Sequence, residues 1–371
     1  MKPLDGIKVI DLSTLLPGPL ATLILAEAGA EVIKVERMGG EDMRRSPPFI
    51  DGESILFAIL NRGKRSIELN IKSKEGYEKI TKLIKSADIV VDQFRPGVME
   101  RLGLDFKSLI EINPNIIHCS ITGYGQNGPK KLVAAHDLNY MAESGLLSLA
   151  KEKDGAPAMP NTQIADIAGG SSPAVINILL ALREVEKTGK GKFLDISMTD
   201  NLFPFMWMAL GLTANKFYSK GGDLQLTGAS PRYGIYETLD KGYIALGALE
   251  EKFWIRFCEV INLPNKLIND NINPNETKET IVKIIKNKNT KEWKDILANE
   301  QNICCSIVNS LEEAMQDSQI IERELLSAKM KLGNTEIFPM PTPLAPTWRP
   351  KKILANAPEL GEANSFYMEK L

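Results

Sequence analysis

Only two histidines occur in this 371-residue chain, His118 and His136, and His136 alone has a run of polar neighbours: Asp137, Asn139 and Tyr140. An imidazole titrates close to neutrality, so it can take up or give away a proton under ordinary conditions. The same residue at an apolar helix start also reads as a capping or core hydrogen-bonding histidine. Asp166 lies in Gln163-Ile164-Ala165-Asp166-Ile167-Ala168-Gly169-Gly170. A carboxylate between Ile and Ala is costly to bury without donors. Helix N-terminal amides would supply them, and a plain N-cap aspartate fits the same pattern. Glu250 follows the strand-like YIALGAL and opens a helix, where a glutamate ordinarily offsets the helix dipole. An imidazole and carboxylates are the equipment of proton transfer.

A second set of residues is basic. Arg37 at a strand end, the cluster Arg62, Lys64 and Arg65, and Arg95 in a loop have the chemistry to meet phosphates. Such a run also reads as a solvated face. Position favours the ligand reading, because α/β proteins bind ligands at strand ends and the loops beyond them. His118, alternating inside IIHCSIT, reads as a strand residue, and Met198, Met206 and Met208 with Trp207 read as helix core or substrate-side packing. Cys119, Cys258 and the adjacent Cys304–Cys305 pair have no zinc-site spacing and suit reduced thiols.

Those residues need a scaffold to bring them together. The length, 371 residues, exceeds what one core usually serves, so two domains are expected. Apolar residues at 43% and charged residues at 25% fit a soluble globular protein. A net charge of −2 gives no drive toward nucleic acid or an anionic membrane, so an anionic ligand must be held by local cations. The N-terminus lacks a signal-peptide pattern, and no long uninterrupted apolar run is present. The terminal Met368-Glu369-Lys370-Leu371 carries Glu where a peroxisomal address has a small residue. A cytoplasmic location is the expectation.

Ile7–Leu12, a Pro17-Gly18-Pro19 break, the apolar helix Leu20–Ala28 and a strand over Glu31–Glu36 form a βαβ unit, which implies a parallel sheet covered by helices. Further strands are expected at Ala87–Phe94, Asn115–Thr122 and Lys192–Met198. A helix is expected to open at Gly169-Gly170-Ser171-Ser172-Pro173, and another over Asn201–Ala214. Arg232–Leu239 and Tyr243–Leu249 around Asp240-Lys241-Gly242 read as a hairpin. Ile303–Val308 reads as a strand, and PMPTPLAPTWRP as an extended tail. The first βα turn, LLPGPL, is not a dinucleotide fingerprint.

Eight ordered blocks resemble one known superfamily: LPGPLATLILAEAGAEVIKVER, LNRGKRSIELN, FRPGVMERLGL, SITGYGQNGP, AAHDLNYMAESG, TQIADIAGGS, TGKGKFLDISM and YGIYETLDKGYIALGALEEKFW. The chain is identified as a member of the class III CoA-transferase (CaiB/BaiF) superfamily and resembles α-methylacyl-CoA racemases more than transferases. The resemblance implies an α/β fold: a Rossmann-like large domain with a parallel sheet over 1–215, a small α+β domain over 225–325, and a return to the large domain over 330–371. It also implies an interlocked homodimer with an active site shared between protomers.

By the same resemblance His136 and Asp166 are the acid–base pair and Glu250 reaches the partner's site to orient the histidine. Arg37 and Arg95 become the better coenzyme A ligands, with Leu69, Asn70 and the segment through Asp137, Asn139 and Tyr140 lining the pocket. The implied reaction is inversion of the α-carbon of a 2-methyl-branched acyl-CoA in fatty acid metabolism, with backbone amides near Asp166 holding the enolate oxygen. A CoA-transferase using Asp166 as nucleophile is the alternative, and a catalytically idle CoA-binding scaffold a third; transferases commonly carry an aromatic where His136 stands. No cofactor beyond the coenzyme A of the substrate, no metal, and no nucleic-acid or membrane partner is expected. Ala135 and Ala229 replace family glycines, and Gly361-Glu362-Ala363-Asn364 departs from a Gly-Glu-His-Thr ending.

Overall fold

Six β-favouring runs assemble into one parallel sheet. They are β1 (Lys8–Asp11), β2 (Glu31–Glu36), β3 (Arg65–Glu68), β4 (Ile89–Asp92), β5 (Ile117–Thr122) and β6 (Lys192–Ser197). Their spatial order is β3-β2-β1-β4-β5-β6, with every neighbour parallel. Every residue of β4 and β5 is buried, as a parallel strand covered on both faces requires. The computed structural model describes residues 2–152, 155–217, 225–350 and 355–368, so the terminal Glu369-Lys370-Leu371 lies outside the described residues.

The chain divides into two compact units. The first comprises Met1–Leu146, Met159–Trp207 and Ser318–Leu371, and the second Leu147–Ala158 and Met208–Asp317. In the first, Ile10, Ile33, Ile67 and Val90 of the sheet meet Ile80, Leu83 and Ile84 of the helix α2 (Lys74–Lys85). Each such buried side chain contributes about 1.5–3 kcal/mol over an exposed one. Ser73 caps α2 by accepting the Gly76 N–H at 3.0 Å.

Helix α1 (Pro17–Glu27) begins three residues before the expected Leu20, because prolines in its first turn sacrifice no intrahelical N–H bond. A short helix α3 (Asp137–Ser144) starts after His136. Ala165–Ser171 winds as a π-helix and passes directly into α4 (Ser172–Thr188). The continuous run Ala165–Thr188 is long and apolar enough by composition to cross a membrane. It packs, however, on α1, β5 and β6 of its own unit, in the manner of a helix covering a parallel sheet. The expected helix over Asn201–Ala214 is broken: Asp200–Met206, with Pro204 inside, is 3₁₀, and α-helix runs only over Trp207–Ala214. Met198 and Met206 are buried, whereas Trp207 is 69% exposed rather than core.

The proline-rich tail crosses its own unit without regular structure from Phe338 to Pro350. Thr342 is buried there, its hydroxyl donating to Glu27. In the second unit, β7 (Tyr233–Glu237), β8 (Tyr243–Gly247) and β9 (Cys305–Ile307) form an antiparallel sheet. Its inner face packs on Trp254, Phe257, Ile281, Ile285 and Trp293.

Candidate active site

The strand order reverses between β1 and β4: the chain runs outward through β2 and β3 on one side and through β5 and β6 on the other. A reversal of this kind leaves a crevice beyond the carboxyl ends of the two central strands, which is where open α/β sheets bind ligands. Two cavities lie there. One, of about 590 Å³, is lined from the ends of β1, β2 and β3 by Leu12, Ser13, Arg37, Leu69 and Asn70. The other, of about 270 Å³, is lined from the ends of β4, β5 and β6 by Arg95, Gly123, His136, Tyr140, Asp166 and Met198. Thr14 after β1 and Phe94 after β4 line both. They form one crevice with a wide end and a narrow end.

His136 enters the narrow end as the exposed N-cap of α3. Three neighbours fix its segment. The Asn139 Oδ1 accepts the His136 N–H at 3.0 Å, the Tyr140 hydroxyl donates to the Ala135 carbonyl at 2.8 Å, and Asp137 turns away toward Asp166. Of the three, only Tyr140 lines the cavity. Asp137 and Asn139, expected to line it, spend their side chains on backbone instead. Burial, then the charge of Asp166, pushes the Tyr140 hydroxyl up to about 12, so it stays a donor.

Asp166 is half-buried, the second residue of the π-turn rather than an N-cap. Single π-turns favour functional positions because they re-aim a side chain without ending a helix. The turn is pressed against the end of β6: a Cβ on Gly169 would stand 2.4 Å from the Met198 carbonyl oxygen. The Asp166 N–H donates to Asp137 Oδ1 at 2.9 Å, so of the amides near Asp166 expected to hold an enolate oxygen, this one is already occupied. Burial, helped by the like charge of Asp137, raises the Asp166 carboxyl from 3.8 to about 6. A carboxyl so placed exchanges its proton near neutrality.

The basic residues separate. Arg37 lies exposed in the wide cavity, with its Nε donating to the Gly40 carbonyl at 3.0 Å, and Arg95 lies exposed in the narrow one. Arg62 and Lys64 do not join them. Arg62 is 2% exposed and pairs with Glu27 at 2.6 Å while donating to the Met340 carbonyl at 2.7 Å. Lys64 is buried against Asp11 at 3.1 Å, and its Nζ also donates to the Thr22 hydroxyl oxygen, Asn61 Oδ1 and the Pro19 carbonyl. Burial lowers Lys64 to about 8 against the pull of Asp11. A cation already committed to buried acceptors is not available to a phosphate. Only Arg65 of that cluster is exposed, and it lines neither cavity.

Lys72 lines the wide cavity and was not foreseen. It also lines an adjoining cavity of about 600 Å³ together with Lys74 and Arg101. The signal available was the Asn70-Ile71-Lys72-Ser73 turn between a strand and a capped helix. His118, read as a strand residue, holds a buried partner: its Nε2 lies 2.7 Å from Asp92 Oδ2. Glu250 is an exposed N-cap in the second unit, at the start of the helix Glu251–Ile261. Among the described residues no group of His, Cys, Asp and Glu is arranged to hold a metal ion.

The sequence matches the model of CoA-transferase family III over residues 4–364. It is 33% identical over 338 residues to the mouse (Mus musculus) succinyl-CoA:glutarate CoA-transferase, covering 88% of this chain and 76% of that protein. To mouse α-methylacyl-CoA racemase it is 31% identical over 366 residues, covering 97% and 88% respectively. Among solved structures, a CaiB/BaiF family protein from Brucella suis superposes with a TM-score of 0.81 at 25% identity, covering 100% of this chain and 99% of that one. Rv3272 from Mycobacterium tuberculosis superposes at 0.85 with 27% identity and 99% of both chains covered.

Proposed function

The chain belongs to CoA-transferase family III, and from that membership we propose that it is an acyl-CoA racemase inverting the α-carbon of a 2-methyl-branched acyl-CoA. One observation carries the reading: His136 and Asp166 line the same cavity of about 270 Å³, and Asp166 sits near 6, where a carboxyl serves as acid or base. The thioester carbonyl acidifies the α-proton. One group removes that proton to leave a planar enolate, and the other delivers a proton to the opposite face. For the other hand of substrate the roles exchange. Positioned acid–base groups of this kind contribute about 10²–10⁴-fold.

The wide cavity beside it is the place we assign to coenzyme A, with Arg37 and Lys72 toward its phosphates. The thioester then lies past Thr14 and Phe94, beside Arg95. We propose in addition that the protein is a homodimer and that Glu250 acts on the partner's His136. The first unit leaves Ile176 at 57%, Leu180 at 65% and Phe205 at 58% exposed, large apolar side chains that a partner subunit would cover.

A second reading has a specific support, since the chain is as similar to named CoA-transferases as to racemases. There Asp166 attacks the thioester carbonyl and expels the CoA thiolate to form an acyl-aspartyl anhydride; the acceptor carboxylate attacks its aspartyl carbonyl and releases the donor acid, and the thiolate then attacks the acceptor's acyl carbonyl to give the new thioester and free Asp166. Deuterium wash-in at the α-carbon of 2-methylacyl-CoA, without any acceptor acid, separates the two. Racemisation requires solvent deuterium to enter with wild type and inversion to be lost with His136→Ala, in which Asp166 alone can exchange the proton of one hand only, with retention. Acceptor-dependent CoA exchange with no wash-in would assign the chain to the transferases instead.

A further inference from the structure

Glu41 sits at 2% exposure at the wide end of the crevice, on the turn that follows β2. That turn, Arg37–Asp42, lines the wide cavity through Arg37, Met38, Glu41 and Asp42. The Glu41 carboxylate reaches from it into the segment after β1. Its Oε2 accepts the Leu15 N–H at 2.9 Å, and its Oε1 lies 3.0 Å from the Nζ of Lys34, a lysine with no exposed surface. Lys34 in turn donates to the Ser13 carbonyl at 3.0 Å. Glu41 therefore grips Ser13 and Leu15, one directly and one through Lys34, and between them stands Thr14, which lines both cavities.

The gripped segment is held in a conformation it would not choose. Leu15 has φ +63°, the left-handed region that a branched side chain rarely adopts. Such a residue persists only where its surroundings over-determine it. The surroundings here are Glu41 on one side and the start of α1 on the other, where a Cβ on Gly18 would fall 2.2 Å from the Ser13 Cβ.

We propose that Glu41 is a positioning residue that couples the coenzyme-binding turn to the Ser13–Leu15 segment, so that filling the wide end of the crevice sets the wall of the reacting end. Binding energy from a remote part of a substrate accelerates chemistry only if something transmits it to the reacting centre. The carboxylate of Glu41 spans that gap. The inference rests on the acyl-CoA reading of the crevice and not on racemisation.

The test compares an acyl-CoA with the matching acyl-pantetheine, which lacks the nucleotide, in whichever thioester reaction the wild-type protein performs. Wild type is expected to turn over the acyl-CoA with a kcat at least about 10-fold above that for the acyl-pantetheine. Glu41→Gln keeps the side-chain size and an oxygen for the Leu15 N–H but loses the ion pair with Lys34; Glu41→Ala loses both. The ratio of the two kcat values should fall in Glu41→Gln and approach unity in Glu41→Ala, the acyl-CoA losing more than the acyl-pantetheine. The Gln variant alone suffices should the Ala variant not fold, which its thermal melt reports. Equal losses on both substrates would reduce Glu41 to a structural role, and a ratio unaltered in Glu41→Gln, or already near unity in wild type, would remove the coupling.

Discussion

Asp137 Oδ1 accepts the backbone N–H of Asp166 at 2.9 Å, so the residue that follows His136 holds the turn that carries the second candidate proton carrier. The contact does two things at once. It fixes the Asp166 backbone, and it brings a like charge close enough to add to the burial that already raises Asp166.

This arrangement makes a pH prediction. A racemase has an equilibrium constant of unity between the two hands, so kcat/KM for both must follow one pH profile, set by the pair and not by either residue alone. A limb near 6 is expected from Asp166. Asp137→Asn keeps an oxygen for the Asp166 N–H but removes the like charge, and the limb should move to lower pH. Burial, the larger cause, remains, so the limb should stay above the ordinary 3.8. A limb that stays in place would show that Asp137 carries no charge near Asp166 in solution.

The two buried cations should matter for stability and not for coenzyme affinity. Arg62→Ala and Lys64→Met each leave a buried carboxylate, Glu27 or Asp11, without its partner, and breaking a buried pair costs about 3–5 kcal/mol. Burial alone would raise Asp11; Lys64, then Lys34, Ser13 and Thr22 outweigh it and hold the carboxyl far below its usual range. Urea melts should show the loss, while calorimetric CoA affinity of the folded variants remains that of wild type. Weaker CoA binding with unchanged stability would restore these residues to the coenzyme site.

Arg37 and Arg95 should separate kinetically. Arg37 faces only the wide end of the crevice and Arg95 the narrow end. Arg37→Ala is therefore expected to raise KM for the acyl-CoA by about 10-fold and to leave kcat for the acyl-pantetheine, which has no nucleotide to bind, as in wild type. Arg95→Ala should lower kcat for both substrates. Initial rates over a range of concentrations of each substrate decide it, and identical effects at both positions would mean that the two cavities do not divide the substrate in this way.

How far the sequence anticipated these sites depends on the range of the interactions involved. The parallel strands at Glu31–Glu36 and Lys192–Ser197 were legible because their β-branched and aliphatic runs announce themselves locally. The hairpin over Tyr233–Gly247 was legible from its Gly-containing turn. The strand Arg65–Glu68 and the fate of Arg62 and Lys64 were not. Their partners Glu27 and Asp11 lie 35 and 53 residues away, and a local pattern of cations cannot reveal carboxylates brought in by folding. The π-turn at Ala165–Ser171 was hidden for a similar reason, since its glycines are required by the approach of Met198 from the end of another strand.

Asp166 itself allows a test that distinguishes a functional aspartate from a structural cap. A cap lost to substitution costs stability, typically about 1 kcal/mol. Asp166 should behave in the opposite way. Its folded-state value is raised above 3.8 to about 6, so the folded protein holds this proton more tightly than the unfolded chain does. The stabilisation from that proton is complete below 3.8 and is lost as pH rises through about 6. Asp166→Asn, which has no charge to bury, should thus melt above wild type at a pH well above 6 and close to wild type below 3.8. The same variant should lose about 10²-fold or more in α-proton exchange. A protein that gives up activity and gains stability at one position is carrying strain there for function, whereas an Asn variant that melts lower at every pH would return Asp166 to the role of a helix cap.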